Sequence, residues 1–142
     1  FKTDENESTV SSLPSYANSI LYTDYVMSQV FDYAQKNLNL QAMVYFSDHG
    51  ESLGENGIYL HGTPWILAPE QQTHIPFMFW LSEGYTRDHH IDSACLAKEA
   101  LQTEISQDNV FSTLLGMLNI QTRVRVPEQD ILAHCTLADR AH

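Results

Sequence analysis

Apolar positions along the chain change period several times, and each change marks an element. From Pro14 to about Asn37, Ile20, Met27, Phe31, Ala34 and Leu38 fall on one stripe, spaced by one or two helical turns. That period predicts an amphipathic helix. Asp24 lies on the same stripe, either at the margin of a broad apolar face or as a partly buried carboxylate facing a polar site. Asn37 and Asn39 supply the stop. Ala42 to Ser47 then runs without alternation, which predicts a strand buried on both faces, as in a parallel sheet. Asp48-His49-Gly50-Glu51 follows at once, at the carboxyl end of that strand, where open α/β sheets hold their ligands. Gly50, Gly54, Gly57 and Gly62 punctuate the next segment, which reads as loop.

A second apolar run, Ile75 to Leu81, carries Pro76 near its start, where a missing N–H is tolerated. Glu83 to Asp92 is polar and reads as surface, and Ala94 to Leu101 suits a short helix. A stronger helix is predicted from about Ser106, with Asp108 at its positive end, an apolar face of Val110, Phe111, Leu114, Leu115 and Leu118, and Asn119 as terminator. Arg123 to Val126 suggests a short strand, followed by Pro127 and a helical remnant that carries Cys135. Residues 1–13 are acidic and rich in Ser and Thr, which predicts a flexible lead-in to a domain over 14–142. Helix alternating with buried strand gives an α/β class.

Charge narrows the function. The 142 residues include 7 Lys plus Arg against 18 Asp plus Glu, a formal net charge of -11. Such a surface repels phosphate backbones, so nucleic acid is excluded as a partner. The apolar runs are far shorter than the roughly twenty residues that a bilayer span requires. Opening on Phe1 without a leader segment, the chain is expected to be part of something longer. Cys95 and Cys135 lack the close pairing of zinc-site cysteines. They are either two buried thiols or one disulfide, and spacing leaves both open.

The densest polar cluster is Asp48, His49, Glu51 and His61. Imidazole and carboxylate together suit zinc or manganese, and the glycines between Glu51 and His61 let the loop fold back over the strand end. His74, the His89-His90 pair, His134 and His142 lie outside the cluster and read as loop, solvated or terminal residues.

The stretch Tyr45-Phe46-Ser47-Asp48-His49-Gly50-Glu51-Ser52-Leu53-Gly54-Glu55-Asn56-Gly57, with Tyr59-Leu60-His61-Gly62 after it, closely resembles the lipid A phosphoethanolamine transferases. These are sulfatase-like enzymes of the alkaline phosphatase superfamily and include the mobile colistin-resistance proteins. Asn18 to Tyr25, Ala68-Pro69 with Ile75-Pro76, and Ser106 to Gly116 extend the likeness over most of the chain. The resemblance implies part of a three-layer fold with a mainly parallel central sheet. It implies that Asp48 and His49 bind the catalytic zinc, with Glu51 and His61 in the adjoining phosphate-binding or second-metal region. The family's nucleophile is a Thr upstream of the matched region, so no catalytic nucleophile is expected here and the chain alone is expected to be inactive. Phosphatidylethanolamine would be the donor and lipid A the acceptor, with polymyxin resistance as the consequence. The setting implied is the bacterial inner membrane with the catalytic domain in the periplasm, anchored through a membrane domain that this chain lacks. An oxidising compartment then favours a Cys95–Cys135 disulfide. A sulfatase or phosphodiesterase shares the metal motif and is the second reading; a non-catalytic binding module is the third.

Overall fold

The computed structural model describes the backbone of residues 5–137 and the side chains from Pro14 onward. Phe1 to Asp4 of the expected lead-in, and His142, lie outside the described residues. The chain divides into two compact units, residues 1–80 and 81–142.

The first unit opens with α1 (Glu5–Asn37). It starts nine residues before the expected boundary at Pro14, which lies inside it. Proline withholds one N–H from the Val10 carbonyl, but Glu5 to Leu13 contains no glycine or further proline to end the helix. The helix closes where Leu38 N–H donates to the Ala34 carbonyl at 2.9 Å and Asn39 turns to a φ of 49°. Of the predicted stripe, Ala34 is buried and Met27 and Phe31 are half-buried, whereas Ile20 and Leu38 stay exposed. Phe31 meets Trp80 edge-on, ring centroids 5.1 Å apart. Asp24 is exposed, which makes it a marginal residue of the stripe.

Among the described residues, four strands follow α1: β1 (Ala42–Phe46), β2 (Ser52–Leu53), β3 (Tyr59–Leu60) and β4 (Phe77–Leu81). β1 pairs with β4, and β2 with β3. Ser47 N–H, just past β1, donates to the carbonyl of Pro76, just before β4, so these two strands run antiparallel. Phe46 stacks on Phe77 at 5.5 Å. The expected parallel pairing is absent among the described residues, and β1 is half-buried rather than covered on both faces. An unbroken apolar run reports the demand for cover but is silent on strand direction. The glycine-rich segment read as loop also contains regular structure. β2 and β3 pair as a small antiparallel hairpin, Ser52 opposite Leu60 and Leu53 opposite Tyr59. Gly54 and Gly57 bend the chain between them at φ 123° and 75°.

The second unit carries α3 (Glu83–Asp88), α4 (Ser93–Gln102) and α5 (Asp108–Met117); the short α2 (Glu70–Thr73) belongs to the first. α3 occupies a segment read only as polar surface. Its signal was Ser82, whose side chain accepts from Tyr85 N–H ahead of the acidic first turn. Asp92 caps α4 in the same way, accepting from Ala94 and Cys95 N–H. α5 begins and ends close to prediction, with Asn119 at φ 52°. Its buried residues, however, are Ser112 and Thr113, while Phe111, Leu114 and Leu118 remain exposed. Ser112 Oγ accepts Val126 N–H at 3.0 Å, and Thr113 Oγ1 accepts Ile131 N–H at 3.0 Å. Hydroxyls on this helix therefore hold the following tail, and Arg123 to Val126 carries a turn at Arg123 and Val124 instead of the expected strand, with Val124 N–H bound locally to Thr122 Oγ1 and Val126 N–H bound to Ser112 on α5.

Cys95 and Cys135 are joined in a disulfide across 40 positions, tying α4 to the helical turn Ala133–Cys135. The alternative of two free thiols is thereby removed. Closing so long a loop restricts the unfolded chain by roughly 4 kcal/mol in the chain-entropy model.

Tyr85 reports on this unit. Its hydroxyl donates to the Met117 carbonyl at 2.7 Å, and its ring stacks on His89 at 4.1 Å. Burial, and then the charge of Asp130, push its pKa above 10.0. The folded state thus favours the neutral phenol, and this stabilisation is complete below the unfolded pKa and is lost as pH rises through the folded one. Urea midpoints should fall more steeply above pH 10 in the native sequence than in Tyr85→Phe; parallel profiles would contradict the coupling.

Candidate metal centre

β1 delivers its polar cluster through a tight bend. Ser47 Oγ donates to the His49 carbonyl at 2.7 Å, and Gly50 N–H donates to the Gln72 carbonyl at 3.0 Å. Glycine is required at position 50 because a Cβ there would overlap the Gln71 carbonyl oxygen, 1.9 Å away. The bend places Asp48 Oδ2 3.8 Å from His49 Nε2, while Asp48 Oδ1 accepts the His49 N–H at 3.1 Å. His49 Nδ1 lies 2.9 Å from the Gly50 carbonyl. A proton on Nδ1 is held there, which leaves Nε2 as a lone-pair donor.

The hairpin returns the second half of the site. Leu60 adopts a φ of 66°, a left-handed conformation that is costly for a leucine, and it immediately precedes His61. The His61 ring stacks on that of His49 with centroids 4.0 Å apart, and His61 Nδ1 lies 3.1 Å from Glu51 Oε2. A ligand atom from each of His49, Glu51 and His61 lies within 4.8 Å of the others. Asp48 joins through its contact with His49. Three of the four residues singled out in the sequence, His49, Glu51 and His61, are therefore brought together, and Asp48 adjoins them through its contact with His49.

Below them lies a residue that sequence reasoning missed. Gln72 is buried, and its amide nitrogen donates both to Ser52 Oγ at 2.9 Å and to Thr63 Oγ1 at 3.1 Å. Its amide oxygen accepts Thr63 N–H at 3.3 Å. Ser52 follows Glu51 and Thr63 is two residues beyond His61, so one amide fixes the spacing of both halves of the site. An isolated glutamine in a polar stretch gives no sequence signal of this kind.

Two imidazoles with one or two carboxylates are a donor set suited to zinc, whose protein bonds of about 2.0–2.2 Å set ligand atoms roughly 3.5 Å apart. A metal held by His49, Glu51 and His61 would polarise a phosphoryl oxygen and lower the pKa of a bound hydroxyl.

Comparison with known proteins gives the family. The family model described as Sulfatase matches residues 1–120. Phosphoethanolamine transferase EptA of Salmonella typhimurium is 44% identical over 123 residues, 85% of this chain and 22% of that protein. The chain thus spans about a fifth of the length of that curated relative. Among solved structures, the soluble domain of lipooligosaccharide phosphoethanolamine transferase A from Neisseria meningitidis superposes with a TM-score of 0.84 at 38% identity, over 96% of this chain and 42% of that one. The integral membrane form of that Neisseria protein gives 0.81 at 40% identity, over 87% of this chain and 24% of that one. With a family model covering most of its length and relatives of one kind, the chain belongs to the sulfatase family, on the side of the phosphoethanolamine transferases.

Proposed function

We propose that this chain is the C-terminal portion of the catalytic domain of a zinc-dependent phosphoethanolamine transferase that modifies lipid A phosphates and so confers polymyxin resistance. The observation that carries the reading is the convergence of His49, Glu51 and His61 at the end of β1, beside Asp48. Asp48 and His49 hold the catalytic zinc, and Glu51 and His61 line the adjoining phosphate or second-metal region. Bound zinc supplies Lewis-acid charge to the phosphoryl oxygens and to the attacking hydroxyl.

The residues of this chain orient and neutralise. The Gly50 carbonyl fixes the His49 tautomer, and Glu51 does the same for His61. A nucleophilic Thr belongs to the part of the protein before this chain, as do the further strands that would make the sheet mainly parallel. Phosphatidylethanolamine as donor and lipid A as acceptor follow from the resemblance, and the Neisseria relative of known structure is named as a lipooligosaccharide phosphoethanolamine transferase. The disulfide supports an oxidising compartment, in keeping with a periplasmic domain attached to the inner membrane. Among the described residues, no helix is long and apolar enough to cross a membrane.

The family model's description keeps sulfate-ester hydrolysis as the second reading. Mass spectrometry of lipid A, after expression of the complete coding sequence that contains this chain, separates the two. Phosphoethanolamine adducts are expected; unmodified lipid A together with release of sulfate from an aryl sulfate would overturn the proposal.

A further inference from the structure

His61 sits on backbone that the hairpin does not hold by itself. The β2–β3 pairing ends with Leu60 opposite Ser52, so His61 lies just past the last paired residue. Its neighbours Leu60 and Gly62 both take positive φ, 66° and 93°. For leucine that conformation is strained, and a strained segment persists only where its surroundings fix it from more than one side. The hairpin fixes the near side. On the far side stands Thr63, whose N–H donates to Gln72 Oε1 at 3.3 Å and whose Oγ1 accepts from Gln72 Nε2 at 3.1 Å.

The arm that carries His49 is tied to the same residue. Gly50, between His49 and Glu51, donates its N–H to the Gln72 backbone carbonyl at 3.0 Å. Ser52, next to Glu51, accepts from Gln72 Nε2 at 2.9 Å. Gln72 is 7% exposed and Ser52 1%. Both amide hydrogens of the glutamine and its amide oxygen are therefore engaged, and they are divided between the two arms. Bonds this deep are costly to leave unmade, so they oppose any slide of one arm past the other. The site depends on that register, because the rings 4.0 Å apart come one from each arm. A misplacement of about 1 Å at a reacting centre can cost on the order of a hundredfold in rate.

We infer that Gln72 is a positioning residue for metal retention and phosphoryl transfer, acting as a lock that holds the His61 arm against the His49 arm. The inference rests on the proposed zinc-dependent transfer, and zinc retention is read apart from turnover. In the complete protein that contains this chain, Gln72→Met keeps the side-chain length and removes the three side-chain bonds. Zinc affinity, measured by competition with a chromophoric chelator, should fall roughly ten- to a hundredfold, the range for residues that orient metal ligands. The kcat for lipid A modification should fall by a similar factor, with KM for the donor lipid little changed. Gln72→Glu is the informative partner. A carboxylate cannot donate, but the Ser52 and Thr63 hydroxyls can turn to donate to it, and Thr63 N–H keeps an acceptor. This variant should regain most of the zinc affinity and most of kcat.

A merely structural glutamine gives a different result: Gln72→Met would unfold at lower urea but keep native zinc affinity and native kcat per folded molecule. That outcome would overturn the inference, as would a Gln72→Glu variant no better than Gln72→Met. Should Gln72→Met fail to fold, Thr63→Val removes one hydroxyl bond and leaves Ser52 tied. It should weaken zinc binding about fivefold, and native affinity there would equally refute the lock. A native protein that holds zinc yet leaves lipid A unmodified would remove the transferase reading, while the ratio of zinc affinities would still decide the role of Gln72.

Discussion

Replacing His49 by alanine should lower phosphoethanolamine transfer by the complete protein roughly a thousandfold. His49 takes part in both the Asp48 contact and the triad, so its loss removes a donor from whichever subset holds the metal. Metal polarisation of a phosphoryl oxygen supplies several kcal/mol in the transition state, and each 1.36 kcal/mol is a factor of ten in rate. The same substitution in the 142-residue chain should abolish the zinc heat seen by titration calorimetry, and His61→Ala should weaken it by roughly ten- to a hundredfold. Retention of full zinc affinity by both variants would place the metal elsewhere.

The second large effect lies in the other unit. Asp130 is 1% exposed and accepts from Arg125 Nη2 at 2.6 Å, from Arg125 Nε at 3.2 Å, and from the N–H groups of Leu132 and Ala133. Asp130→Ala leaves a partly buried guanidinium and the Leu132 amide without their acceptor, while Ala133 N–H keeps the Asp130 backbone carbonyl, and should cost about 3 kcal/mol or more in urea unfolding. Gly116→Ala should approach that value by another route, since its Cβ would lie 1.9 Å from Asp130 Oδ2. A change under about 0.5 kcal/mol in both variants, the usual range for surface positions, would show that the pair is dispensable.

Particular residues explain what could be read from sequence. β1 and the cluster after it were legible because an unbroken apolar run ending in Asp-His-Gly-Glu is a pattern local in the chain. Asn39 and Asn119 were legible as stops, since asparagine tolerates the left-handed conformation that both adopt. The face of α5 was misread for a physical reason. Periodicity counts apolar residues, whereas Ser112 and Thr113 are buried by hydrogen bonds to the backbone of a tail distant in sequence. Strand direction between β1 and β4 was equally out of reach, because burial demand does not encode it. At the candidate site, the nearness of His49, Glu51 and His61 was legible and the Gln72 clamp was not, since its partners lie twenty and nine positions away.

That clamp also separates the ends of a loop from its contents. With Ser52 and Thr63 fastened to one amide, the intervening turn can be lengthened at small entropic cost, because closure entropy grows only with the logarithm of length. Gly57, whose absent Cβ would meet nothing within 4 Å, is an open place for such growth. Inserted sequence there, a peptide tag or a fluorescent reporter, would project from the hairpin while the glutamine kept both imidazoles in register.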